Sequence, residues 1–104
     1  VTLGTVLEEV PILAEVLELG AMRMVPAGSH ADRNVCARSV LEAGAVDSLY
    51  LDIIADAQTS GGLLLAVPAA EAPDAVSGLR GAGVADAAII GEILDRSEGV
   101  IEVR

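Results

Sequence analysis

Residues 1–7, VTLGTVL, alternate loosely between apolar and small or polar positions and carry β-branched side chains, the pattern of a strand. Pro11 suits a first helical turn, where a missing N–H costs nothing. Ile12, Leu13, Val16 and Leu17 then recur at helical spacing, Glu15 and Glu18 face away, and Gly20 is placed to stop the helix. RMVPAGSHADRN reads as a loop around Pro26, Gly28 and Ser29. A second helix is expected from about Asp32 to Ala43, burying Val35, Val40 and Leu41 and closing at Gly44. Asp47 is placed to cap a short third helix, in which Leu49 with Ile53 and Tyr50 with Ile54 lie four residues apart.

GLLLAVP, residues 62–68, is apolar at nearly every position, as expected of a strand covered on both faces. Residues 69–82 predict a weaker helix, with Pro73 in its first turn and Gly78 and Gly81 against it. DAAIIGEIL and VIEVR read as strands joined by a hairpin loop at residues 95–99. The expected order is strand, three helices, strand, helix and two strands. That is an α+β fold of mixed α/β layers, one domain over residues 1–104, with no repeats.

Composition narrows the function. Hydrophobic residues make up 53% of 104 residues, yet Tyr50 is the one aromatic, so the core must be built from Ala, Val, Leu and Ile. No apolar run approaches the ~20 residues of a membrane span, and no basic segment opens the chain as a signal peptide would. Net charge is −10, with six Arg and no Lys, which supplies no clustered positive charge for nucleic acid. The single cysteine, Cys36, excludes an internal disulfide and fits a reducing, cytoplasmic setting. The first residue is Val1 rather than Met, which suggests an excised piece of a longer chain.

There is no glycine loop with Lys, no metal-spaced Cys/His set and no Ser/His/Asp order. His30, in a Gly/Ser loop, reads as a surface residue, and Cys36 as a small buried hydrophobe on the second helix. DAQTSGG, residues 56–62, stands out. Successive N–H groups around Gly61 and Gly62 can form a nest for an anion, Thr59 and Ser60 add hydroxyls, and Asp56 can orient the turn. The plainer reading is that the glycines let a helix end pass close to a buried strand.

ADAQTSGGLLLAVP closely resembles the DPQTSGGLL signature of selenophosphate synthases, also called selenide, water dikinases. EEVPILAEVLELG resembles that family's LPLLPGALELA segment, MVPAGSHADRN its VPGGTxxN loop, and AAIIGEIL its AxVIGEV strand. The pieces occur in family order across nearly the whole chain.

The resemblance implies the carboxyl-terminal part of an enzyme that makes selenophosphate, AMP and phosphate from selenide, ATP and water with Mg²⁺. It implies a mixed sheet packed with helices, as in the C-terminal domain of aminoimidazole ribonucleotide synthetase. The upstream ATP-binding half is the implied partner, and a homo-oligomer is expected. The family's reactive Cys or selenocysteine, its partner Lys, its glycine-rich loop and its magnesium-binding aspartates lie upstream of the matched region. No catalytic or metal residue is therefore carried onto this chain, and ATP and Mg²⁺ are expected of the full-length enzyme rather than of this fragment. The positions carried as ligand-binding candidates are Asn34, Gln58, Thr59, Ser60, Gly61 and Gly62. Ala57 stands where the family has proline and Ala27 where it has glycine, which changes local geometry. The competing readings are a free-standing, non-catalytic domain that binds a partner or anion through DAQTSGG, and a relative such as thiamine-monophosphate kinase or a hydrogenase maturation factor. The signature and loop disfavour the relative.

Overall fold

The computed structural model describes residues 1–58, 60–96 and 99–104. Its strands are β1 (Thr2–Thr5), β2 (Val40–Glu42), β3 (Gly91–Leu94) and β4 (Ile101–Val103). Its helices are α1 (Ala14–Ala21), α2 (Ala27–Cys36), α3 (Ser48–Ile54) and α4 (Ala72–Gly81), with a short 3₁₀ turn at Leu7–Glu9. The strands form one mixed sheet in the order β2-β4-β1-β3. Strand β1 runs antiparallel to β3 and parallel to β4, and β4 runs parallel to β2. This is the expected mixture of α and β layers.

The sheet is held where the ends of its strands overlap. Leu7 N–H donates to the Arg104 carbonyl at 2.9 Å, and Arg104 N–H to the Thr5 carbonyl at 3.0 Å, extending the β1–β4 ladder. A Cβ at Gly91 would overlap the Gly4 carbonyl across the β1–β3 pair, so this register needs glycine there. The core is small and aliphatic, as the composition requires. Leu7, Leu51 of α3 and Val103 of β4 are buried together, with Val40, Val46 and Tyr50 packed around them. Asp47 caps α3 as expected, its Oδ1 accepting from Leu49 N–H at 2.9 Å. Pro73 lies in the first turn of α4.

Several expectations are corrected, among them the burial of Cys36, which is exposed. The second helix starts at Ala27 and ends at Cys36, because Pro26 sets an extended entry (ψ 140°) and Gly28 and Ser29 are tolerated in a first turn. Val35, expected to be buried, is 79% exposed, and Val40 and Leu41 lie in β2, where β-branched Val40 can pack against the core. Residues 62–68 form no strand, and Leu63, Leu64 and Leu65 are 89%, 65% and 61% exposed. A wholly apolar strand needs a ladder partner and cover on both faces. The sheet ends at β2 and β3, and residues 62–68 join neither edge, so the run has no ladder partner among the described residues.

The hairpin between the last two strands is also absent, since β1 lies between β3 and β4 and pairs with both. Residues 97 and 98 of that connection lie outside the described residues. Finally, neither Gly61 nor Gly62 has the positive φ or close approach that their pairing suggested. A Cβ at Gly61 would meet Gln58 no closer than 3.8 Å, and Gly62 is open.

Candidate functional site

Helices α2 and α3 lie side by side, and their polar residues meet in an antiparallel ladder. Ser29 and Arg33 are one turn apart on α2; Asp52, and Asp56 just past the end of α3, are one turn apart opposite them. Ser29 Oγ donates to Asp56 Oδ1 at 2.6 Å, and Arg33 donates to Asp52 Oδ1 at 3.1 Å. Arg33 also reaches the Ser48 carbonyl at 3.4 Å and lies 3.7 Å from Glu42. His30 Nδ1 lies 3.4 Å from the same Asp52 oxygen. Ser29 is almost wholly buried and Asp52 nearly so. Burying these groups requires that they be bonded, and the ladder does that.

This ladder joins the two segments that the sequence singled out, the PAGSHADRN loop and the DAQTSGG turn. Between it and α1 lies a half-open cavity of about 210 Å³. Val16, Leu19, Met24 and Val25 form its apolar wall; Ser29, Asp52, Asp56 and Gln58 form its polar one. That volume is below the ~300–1,000 Å³ of a site for a drug-sized ligand, so it suits a small group or one end of a larger molecule. Both charged side chains of the polar wall are carboxylates, which favours hydrogen-bond donors over a free anion.

Of the sequence candidates, Gln58 lines this cavity. Ser60, Gly61 and Gly62 are exposed beyond it, and Thr59 lies outside the described residues. Asn34 is exposed on α2 and takes no part in the ladder among the described residues. The eight-residue loop motif, counted from Val25, ends at Asp32 rather than at Asn34. The residues that do converge, Ser29, Arg33, Asp52 and Asp56, were partly hidden. Their signal was two polar pairs at four-residue spacing, with the α2 pair placed in what reads as a loop. No group of three His, Cys, Asp or Glu able to hold a metal ion occurs among the described residues.

Residues 2–104 match the family model described as AIR synthase related protein, C-terminal domain. Among curated relatives, a selenide, water dikinase of Nitratidesulfovibrio vulgaris is 48% identical over 92 residues, which is 86% of this chain and 25% of that protein. A selenide, water dikinase of Myxococcus xanthus is 38% identical over 90% of this chain and 26% of its own. Selenide, water dikinase 2 of Peptoclostridium acidaminophilum is 36% identical over 99% of this chain and 29% of its own. The chain thus spans about a quarter of the length of these relatives. No solved structure matches it significantly.

Proposed function

The chain belongs to the AIR synthase related family, in its C-terminal domain, and from that premise we propose that it is the carboxyl-terminal portion of a selenide, water dikinase. The 48% identity to a protein of that name, over 86% of the chain, carries the reading. On this reading the whole enzyme makes selenophosphate from selenide, ATP and water, in the cytoplasm. No described helix is long and apolar enough to cross a membrane.

The residues described here do not form a metal site, so no step through Mg²⁺ or ATP is assigned to them. Those groups belong to the ATP-binding half, the proposed partner of this portion. What this chain contributes is a rigid edge: the Ser29–Asp56 bond fixes where the turn at 56–62 leaves α3, and that turn is then offered to the partner half. Ser60 and nearby N–H groups of the turn would meet the phosphates there. The exposed apolar residues 63–67 are the second proposed contact, with the same half or with another copy in a homo-oligomer.

The test is selenide-dependent AMP release from ATP. The longer protein encoded by the native gene should show it, and the 104-residue chain alone should not. AMP formation by the isolated chain, or none by the longer protein with selenide present, would overturn the reading.

A further inference from the structure

Arg23 is the one non-glycine residue with positive φ (60°) among those described. It follows α1 where the chain turns back, with Met24 N–H donating to the Leu19 carbonyl at 3.0 Å. Glycine is the usual residue there, and asparagine the usual substitute, because a Cβ is strained in the left-handed region. Strain kept at a single residue directs attention to what its side chain does. Arg23 makes no ion pair or side-chain hydrogen bond among the described residues, although 16 acidic residues are available in the chain.

Instead it lines a second half-open cavity, of about 300 Å³, with His30, Ser48 and Asp52. Arg33 borders this cavity by holding Asp52 and the Ser48 carbonyl. Three of the chain's seven basic side chains are therefore gathered around one hollow of a molecule with net charge −10. One carboxylate is present as well. The Arg33 and His30 contacts both fall on Asp52 Oδ1, leaving Oδ2 as an acceptor without a partner among the described residues.

We propose that this hollow binds a small protonated tetrahedral oxyanion of the hydrogen-phosphate class. Arg23, His30 and the Ser48 hydroxyl meet its oxygens, and Asp52 accepts from its P–OH. Arg33 lies between two carboxylates, 3.1 Å from Asp52 and 3.7 Å from Glu42 of β2, so the guanidinium left free for an anion is that of Arg23. A fully deprotonated oxyanion such as sulfate offers Asp52 no proton and is repelled by it. The inference rests on this geometry alone and does not depend on the selenophosphate reading.

The probe is inorganic phosphate near neutral pH at fixed ionic strength, read by the NMR signals of His30, the only histidine. A saturable shift with phosphate, and a far weaker one with sulfate, is the expected result. Arg23→Gly removes the guanidinium while suiting φ 60°, so it should melt no lower than wild type yet weaken phosphate binding at least ~10-fold, as loss of a charge-assisted contact does. Arg23→Asn, also tolerant of this backbone, should behave alike. No saturable shift, unchanged affinity in both variants, or equal binding of sulfate would each overturn the proposal.

Discussion

Replacing Ser29 with Ala should loosen α2 from the end of α3 at a cost that the structure allows to be worked out. The change deletes one hydroxyl, and its partner Asp56 Oδ1 at 2.6 Å loses a donor. Hydrogen bonds to charged groups contribute about 1.5–3 kcal/mol. Asp56 is only half-buried, so water replaces part of the loss, and the lower end, about 1.5 kcal/mol, applies. For a domain of this size that lowers the melting midpoint by roughly 6–12 °C. With a urea slope of about 1.5 kcal/mol per M, the denaturation midpoint should fall by about 1 M. Asp56→Ala should cost a similar amount, and the double variant should cost less than the sum by about 1 kcal/mol, because neither single loss then strands a partner. Urea titrations of the four proteins, followed by circular dichroism, give the cycle. A coupling below about 0.3 kcal/mol, the scatter of independent sites, would show that the bond does not hold the two helices together and that the ladder is incidental.

Two further outcomes follow from the packing. Gly91→Ala must push β3 away from the Gly4 carbonyl and should destabilise by about 2 kcal/mol or more, whereas Gly62→Ala, which meets nothing within 4 Å, should stay within about 0.5 kcal/mol in the same thermal melts; equal effects would refute the β1–β3 register. Leu63 and Leu65 are the most exposed alternate positions of an uncharged run from 57 to 70, so the chain should self-associate at high concentration and Leu63→Glu/Leu65→Glu should be monomeric by light scattering; identical masses for the two proteins would remove this segment as the contact.

What the sequence made legible was whatever local chemistry decides. The Asp47 cap, the Pro73 start of α4 and the extended character of residues 2–5, 91–94 and 101–103 are all decided within a few residues, and each occurs where expected. The misplacements have nonlocal causes. Val40 and Leu41 fit a helical pattern as well as a strand, and β4 running alongside decided between them. Residues 62–68 have the composition of a central strand, but composition cannot provide a neighbour. Half of the candidate site was read in the same way. DAQTSGG and the PAGS loop stood out as stretches, yet the Ser29–Asp56 and Arg33–Asp52 pairings depend on how two helices face each other, and a single chain's spacing does not show that.

The central position of β1 sets a schedule as well as a shape. Its ladder partners in β3 and β4 lie about 90–100 residues further along the chain. Closing a loop of that length costs about 4 kcal/mol in chain entropy before any contact forms, and contacts so distant in sequence make folding slow. At ~5–20 residues per second of synthesis, β1 waits roughly 5–20 s for the strands that flank it. During that interval α1, α2 and α3 can pair with one another, since their contacts are local, while residues 2–5 stay unpaired. The helical half is thus ready first, and this sheet is completed only once β4 is made.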